Sequence, residues 1–302
     1  MSHRSSRAAG FTLVELIVVI VLTAIVASFM VLFLDAPVQS YFAQTRRSDL
    51  VDSANRITRA VTADVRTALP NSLRVNPAHT ALELLATTGV ARYYGQGDKG
   101  TAPPPPAGEE LTIGNAVTAP FGTLDPFGPQ TVSYQPKFLS IGNLHTPGYD
   151  AYNGTTVMTG TGTQITVNPT PGPPFVSGEN QVTLTGTSMD FQAAGAPAIQ
   201  PSVHNAYLVS GPVSYVCNPN PGNPAAGTVM RYSGYSVSAA QPVPPGSGTS
   251  ALIAHDVSAC QILVVAAPAG YAYGELAILD VTLSSNGETL QVFFETPTEY
   301  SQ

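Results

Sequence analysis

The sequence has no tryptophan and little charge, with 12 basic and 19 acidic side chains among 302 residues. Its net charge is −7 and it has no basic stripe, which argues against a nucleic-acid-binding protein because such proteins concentrate Lys and Arg on one face. Residues 1–69 carry 12 of these charges, so the longer distal part is poorer still in charge. Its solubility must therefore rest on uncharged polar side chains and the backbone.

Recognisable catalytic and metal-binding patterns are also missing. His79, His145, His204 and His255 are scattered along the chain, and none accompanies a nucleophile-elbow pattern such as G-x-S-x-G. The adjacent acids at 109–110 follow a proline run and are typical of a solvated loop. No EF-hand spacing or phosphate-binding loop occurs. The sequence therefore predicts no enzyme activity, no catalytic residue and no cofactor.

What the sequence does have is a long apolar run close to its start. Residues 1–10 contain Arg4 and Arg7 and no acid, and residues 11–34 form an apolar run whose only ionisable side chain is Glu15. At about 1.5 Å per residue, a helix of that length reaches roughly 36 Å, which is enough to cross the hydrocarbon core of a bilayer. We therefore predict a membrane-spanning helix over residues 11–34.

Two ordinary explanations of this N-terminus are incomplete. A cleaved secretory signal has an apolar core of about 7–15 residues followed by small residues, whereas this run is longer and Ala36 precedes a proline. A plain membrane anchor fits the length, and the basic leader would keep the N-terminus in the cytoplasm. An anchor does not explain Glu15, because a carboxylate in a membrane helix is costly and usually functional.

The segment Gly10-Phe11-Thr12-Leu13-Val14-Glu15, between a basic leader and a long apolar run, resembles the class III signal of type IV pilins and type II secretion pseudopilins. The resemblance implies cleavage after Gly10 by a prepilin peptidase and N-methylation of Phe11. It also implies that Glu15 pairs with the terminal amine of a neighbouring subunit during assembly. A plain anchor that matches this pattern by chance remains the alternative.

The same resemblance implies a location and a set of partners. The chain is expected in the bacterial inner membrane as a single-pass protein, with its N-terminus in the cytoplasm and its C-terminal domain in the periplasm, and then in the pilus fibre. The implied partners are inner-membrane lipid, other major and minor pilins, the prepilin peptidase and the pilus assembly platform. No nucleic acid is among them.

Four segments follow from the pattern along the chain: a cleaved leader (1–10), a transmembrane and assembly helix (11–34), an amphipathic periplasmic helix (35–69) and a periplasmic β-rich pilin domain (70–302). Pro37 predicts a kink or a loosened turn. Pro70 and Asn71 predict the end of the helix. The amphipathic segment has an apolar stripe at three- and four-residue steps, which must pack against another element: Leu50, Ala54, Ile57, Val61, Val65 and Ala68.

Beyond residue 72 the pattern indicates strands and loops. Residues 276–283 and 288–294 alternate in the manner of half-buried strands, and Asn286-Gly287 between them predicts a hairpin. Weaker strand candidates are 81–86, 131–134, 181–184, 207–217, 228–237 and 260–265, separated by exposed Pro- and Gly-rich loops at 101–110, 169–174, 219–224 and 242–248. The predicted fold class is α+β, a long N-terminal helix with its apolar half in the membrane, followed by an antiparallel β-sheet domain.

The only two cysteines are Cys217 and Cys260. In an exported domain a disulfide between them can persist, and closing a loop of about 43 residues would stabilise the fold by roughly 4 kcal/mol in the chain-entropy model. Two buried free thiols are the alternative. A zinc site is disfavoured, because no Cys-x-x-Cys occurs and His255 is the only histidine near Cys260 in the sequence.

The sequence around the cysteines resembles minor pilins of the mannose-sensitive haemagglutinin (MSHA) type IV pilus. This likeness rests on residues 211–217, 230–235, 252–254 and 257–260 and on the terminal hairpin. It implies a minor pilin or pilus biogenesis component. A J-type pseudopilin of a type II secretion system shares the plan of long helix, sheet and inserted loops, and a tip-displayed adhesion module is a further alternative. We favour the pilus interpretation.

Overall fold

The computed structural model describes residues 10–95, 110–114, 116–117, 119–128, 137–153, 156–173, 175, 178–186, 189–192, 204–266 and 273–299. It begins with one long helix, α1 (Leu13–Arg66), and continues with strands. The predicted α+β fold class is confirmed: an apolar N-terminal helix precedes an antiparallel β-sheet domain.

Helix α1 continues through Pro37, where the sequence predicts a kink or a loosened turn, so this proline does not end the helix. The predicted end at residue 69 is wrong by three residues. The helix ends earlier because the next three residues turn away from it and bond with a strand. Leu69 N–H donates to Leu85 O at 2.7 Å, and Thr87 N–H donates to Thr67 O at 3.0 Å.

The chain divides into two compact units, and the division falls within α1 between Asp49 and Leu50. In the second unit the predicted apolar stripe of α1 is confirmed as buried. The core of this unit combines that stripe with apolar side chains from both larger sheets. The buried members of the stripe are Leu50, Ala54, Ile57, Val61, Val65 and Ala68.

The largest sheet has six antiparallel strands around one long central strand. Its order is β1 (Arg74–Val75), β2 (Ala81–Arg92), β7 (Asn205–Asn218), β8 (Thr228–Ser233) and β9 (Thr249–His255), with β4 (Phe138–Ile141) also paired to β7. Strand β7 pairs with β2 along one edge, and its other edge is shared by β4 and β8. Its residues are mostly buried, as expected for a strand covered on both faces.

A second sheet is formed by the C-terminal strands β10 (Val257–Ala266), β11 (Tyr273–Ser285) and β12 (Glu288–Glu299). The predicted hairpin is confirmed, since β11 and β12 pair in antiparallel register up to Ser285 and Glu288. Asn286 and Gly287 have φ angles of 46° and 87°. This left-handed conformation is what a tight two-residue hairpin turn requires.

Residues 93–204 are inserted between β2 and β7. They contain a third, smaller sheet in which β6 (Asn180–Thr185) pairs with β3 (Phe121–Thr123) and β5 (Gln164–Asn168). Tyr93 and His204 mark the start and end of the insertion: their rings stack with centroids 5.2 Å apart, and Tyr93 N–H donates to His204 O at 2.8 Å.

The strand predictions are confirmed for β2, β6, β7 and β10 and for both strands of the hairpin. The candidate at 228–237 ends early, at Ser233, because Gly234 has a φ of 77° that is incompatible with an extended strand. The candidate at 131–134 lies outside the described residues. Sequence analysis missed β1, β3, β4, β5 and β9, most of which are short.

Candidate assembly site

The N-terminus of α1 is closed by Thr12. Its hydroxyl oxygen accepts the Glu15 N–H at 3.3 Å, and its carbonyl accepts the Leu16 N–H at 3.2 Å. Thr-x-x-Glu at a helix start is the capping-box pattern, in which the threonine satisfies a backbone donor that has no partner within the helix. Sequence analysis missed this role of Thr12, although the spacing to Glu15 is visible in the sequence.

The predicted processing residues lie at this end of the helix. Gly10 and Phe11 precede the first helical residue and are exposed, so the peptide bond between them is in non-helical chain. Glu15 is in the first turn and is also exposed. A carboxylate in the first turn is favoured by the helix dipole. The leader residues Arg4 and Arg7 lie outside the described residues.

The apolar half of α1 is not packed against any other described part of the chain. The helix from Leu13 to Met30 is long and apolar enough to cross a membrane, and none of it is buried. Its hydroxyl groups bond to its own backbone: Thr23 donates to Val19 O and Ser28 to Ala24 O, each at 2.8 Å. A helix surrounded by lipid or other apolar helices needs such internal hydrogen bonds, because no water is present to bond its polar groups.

The polar face of the second half of α1 is tied to the six-stranded sheet by Asp64. Its Oδ2 accepts hydrogen bonds from Arg231 Nε at 2.7 Å and from the Tyr215 hydroxyl at 2.6 Å. Arg56 Nε, two turns earlier, donates to Ile253 O at 3.1 Å. The hydrogen bonds that Arg231 donates to Asp64 raise the pKa of Arg231. Burial, followed by the bond to Asp64, raises the pKa of Tyr215.

A second polar cluster is buried where the chain leaves α1. Arg74 forms an ion pair with Glu83 at 2.7 Å, and its guanidinium lies 3.6 Å above the centre of the Tyr152 ring. The other oxygen of Glu83 accepts the Tyr235 hydroxyl at 3.0 Å. Burial raises the pKa of Glu83, and Arg74 opposes that shift. Because every member has a partner, the cluster stabilises one arrangement of this junction.

Glu275, on β11, is a buried carboxyl group held by backbone donors. It is 6% exposed, and its Oε2 accepts the Leu73 N–H at 3.0 Å. Burial raises the pKa of Glu275 to about 7, and hydrogen bonds from Leu73 and Ser72 oppose the shift. Glu275 therefore links the segment after α1 to the C-terminal sheet.

Cys217 on β7 and Cys260 on β10 are joined as a disulfide. The bond connects the six-stranded sheet to the C-terminal sheet. Cys217 is buried, whereas Cys260 is half-buried. The sequence left a disulfide and two buried free thiols as alternatives, and the structure has the disulfide.

The histidines are not brought together. His204 stacks on Tyr93, His79 Nδ1 lies 3.2 Å from Ile262 O, and His145 and His255 each lie beside an aspartate that is near in sequence. Among the described residues, no group of three or more His, Cys, Asp or Glu side chains is arranged to hold a metal ion.

Comparison with known proteins gives one match. Residues 5–31 match the prokaryotic N-terminal methylation motif, which is the prepilin signal of type IV pilin-like proteins. No curated protein and no solved structure matches the chain. The motif indicates a type IV pilin-like or pseudopilin protein, and with the apolar helix it indicates a membrane-anchored, single-pass chain. Association with other pilins and with membrane assembly machinery follows in general terms.

Proposed function

We propose that this chain is a minor pilin or pilus biogenesis component of an MSHA-type type IV pilus, with no enzymatic role. One observation carries the proposal: the helix from Leu13 to Met30 has an apolar surface that none of the described residues covers, and it lies within the methylation motif. In the inner membrane, lipid covers this surface. In a filament, the helices of other pilins would cover it.

Processing would divide the chain as the sequence predicts. The prepilin peptidase would remove residues 1–10 by cutting the bond between Gly10 and Phe11, and Phe11 would then be N-methylated. Residues 11–34 would form the membrane and assembly helix, 35–69 the periplasmic part of the helix and 70–302 the periplasmic domain. Exposure of the bond between Gly10 and Phe11 ahead of the helix supports this step, because a protease needs extended, accessible chain.

Glu15 would act when the helix leaves the membrane. Among the described residues the Glu15 carboxylate has no ion-pair partner, and the backbone N–H of Glu15 is bonded to the Thr12 hydroxyl. Cleavage creates a positively charged amine on Phe11 of each subunit. Pairing of Glu15 with that amine on a neighbouring subunit would set the axial position of the incoming helix, since an unpaired charge in an apolar core is costly.

The test is replacement of Glu15 in cells that carry the complete assembly system. Glu15→Ala should leave membrane insertion and leader cleavage unchanged but should lower recovery of the chain in the sheared filament fraction at least tenfold, roughly the effect of losing 1.4 kcal/mol. Thr12→Ser, which keeps the capping hydroxyl, is the matched control and should assemble normally. Normal recovery of Glu15→Ala in filaments would contradict the proposal.

A J-type pseudopilin of a type II secretion system is the second candidate, because the same motif and the same order of helix and sheet fit both machines. Deletion of the gene distinguishes them: loss of pili with normal protein secretion supports the pilus assignment, and the reverse supports the secretion system.

The insertion at residues 93–204 favours a third candidate, a tip-displayed adhesion module, since it adds a separate small sheet and core to the domain. Replacement of this insertion by a short linker should then abolish adhesion and leave fibres intact. Loss of fibres instead would assign the insertion to assembly.

A further inference from the structure

The C-terminal sheet has one face in the core and one face outside it. On β11, the buried residues alternate with half-buried ones, and the half-buried set consists of Leu276, Ile278, Asp280 and Thr282. Their register partners on β10 and β12 lie on the same face, because directly opposed residues in an antiparallel sheet point to one side. We call this the outer face; it comprises Leu276, Ile278, Asp280, Thr282, Ala259, Gln261, Leu263, Val265, Gln291, Phe293, Glu295 and Pro297.

The outer face is more apolar than an ordinary solvated sheet surface. Val265 is 47% exposed and lies opposite Leu276, and Phe293 is 61% exposed and lies diagonal to Ile278. Leu263 is opposite Ile278, and Leu263, Leu276 and Ile278 are half-buried. Exposed apolar side chains grouped on one face of a sheet are a feature of interaction surfaces. The patch continues into a cleft of about 400 Å³ at the edge of β10, which includes His79 and Asp280.

The charged side chains that the C-terminal sheet itself contributes are all acidic. The sequence has no Lys or Arg after Arg231, whereas residues 232–302 contain six acids. Two of them, Asp280 and Glu295, are on the outer face. Asp280 is bonded to the amide of Gln291, but Glu295 makes no hydrogen bond or ion pair within the described ranges. A partner for this face should therefore be apolar and cationic.

The same chain carries a surface with that chemistry on the solvent side of α1. Val51, Asn55 and Arg59 follow one another at four-residue steps and are all exposed. Val51 is 46% exposed. Other arginines nearby are engaged, with Arg56 bonded to Ile253 O and Arg66 near Glu299, but Arg59 has no bonded partner in the part of the chain that the structure describes.

We infer that the outer face of the C-terminal sheet docks the α1 surface formed by Val51, Asn55 and Arg59 of a second copy of this chain, with Arg59 paired to Glu295. Two different surfaces of one chain then meet head to tail, which is the type of contact that builds helical filaments. The inference rests on the proposed role in assembly.

Site-directed cross-linking in cells tests the contact with the full chain. Two differently tagged copies carry Glu295→Cys and Arg59→Cys, and a short bismaleimide is added to the filament fraction; the native cysteines are joined to each other. We expect a cross-linked product containing both tags, at least roughly fivefold above the product from Leu252→Cys paired with Arg59→Cys. Leu252 is 55% exposed on β9, outside the outer face.

Charge reversal gives a second test, which uses the same reagent at a different pair of positions. Glu295→Arg or Arg59→Glu alone should lower the yield of a cross-link between Phe293→Cys and Asn55→Cys at least roughly fivefold, and the two reversals together should restore it. Both sites are exposed, so neither change should affect folding.

The outcomes separate this inference from the proposed function. Recovery of the chain in filaments without the contact between positions 59 and 295 would overturn the inference and leave the assembly role standing. Cross-linking of position 295 to a different subunit would also overturn it. Failure of even the unmodified chain to enter filaments would instead contradict the assembly role.

Discussion

Asp64 on α1 and Arg231 on β8 form a two-point ion pair, with Nε to Oδ2 at 2.7 Å and Nη2 to Oδ1 at 3.2 Å. Oδ2 also accepts the Tyr215 hydroxyl. Hydrogen bonds to charged groups contribute about 1.5–3 kcal/mol each when partly buried. Asp64 therefore fixes the rotation of the helix on the sheet, because it can reach both donors from only one helical face.

Asp64→Asn should lower the free energy of unfolding by about 2 kcal/mol, since the half-buried guanidinium of Arg231 would lose its counter-charge. Urea unfolding of the full chain in detergent, followed by far-ultraviolet circular dichroism, measures the change. Asp52→Asn, at an exposed site on the same helix, is the control and should stay within about 0.5 kcal/mol of the wild type. Equal stability of the two variants would show that the ion pair does not hold the helix.

The buried stripe of α1 gives a second prediction. Ile57 is fully buried in the core, so Ile57→Ala should cost about 2–5 kcal/mol through lost burial and a cavity. Val51→Ala, on the exposed side of the same helix, should cost less than about 0.5 kcal/mol. The same unfolding measurement compares them, and a small effect at Ile57 would contradict the packing of α1 against the sheets.

The disulfide between Cys217 and Cys260 spans 43 residues of sequence. Replacing both cysteines by alanine should lower the free energy of unfolding by roughly 4 kcal/mol in the chain-entropy model. The midpoint in urea, compared with that of the wild type under oxidising conditions, measures the loss. A midpoint unchanged by the double replacement would mean that the core alone holds the two sheets together.

Glu275 predicts a dependence of stability on pH. Its pKa is about 7 in the folded chain against an ordinary value of 4.5, so the folded state holds the proton more tightly than the unfolded state. Its contribution to stability is complete below pH 4.5 and is lost as pH rises to about 7, a change of roughly 3 kcal/mol.

Glu275→Gln should remove this dependence, because the amide cannot ionise. Thermal unfolding at pH 4 and pH 8 should show the variant to be more stable than the wild type at pH 8 by up to roughly 3 kcal/mol, with a much smaller difference at pH 4. Parallel pH profiles of the two proteins would contradict a raised pKa for Glu275.

The sequence predicts long elements well because their patterns are local. The α1 stripe repeats at helical spacing, and the Asn286-Gly287 turn lies between two alternating runs, so burial and pairing follow from neighbouring residues alone. The strand β1 has two residues and β3 has three, too few for any period to be visible. Their partners are set by tertiary contacts.

The candidate site also contains residues that the sequence reveals and residues that only the fold brings together. The motif around Glu15 can be recognised without the fold because its residues are contiguous in the sequence. Asp64 and Arg231 are 167 residues apart, and Leu73 and Glu275 are 202 apart. No local pattern joins such pairs, so only the fold reveals them. The helix end at Arg66 rather than residue 69 has the same cause, since the following residues bond to β2.

The central claim is that this chain is processed between Gly10 and Phe11 and then built into a filament. Mass spectrometry of the N-terminal peptide from sheared and purified surface filaments tests it most directly. We expect to find the chain in that fraction, beginning at N-methylated Phe11. A chain confined to the membrane fraction, or one that still begins at Met1, would contradict it.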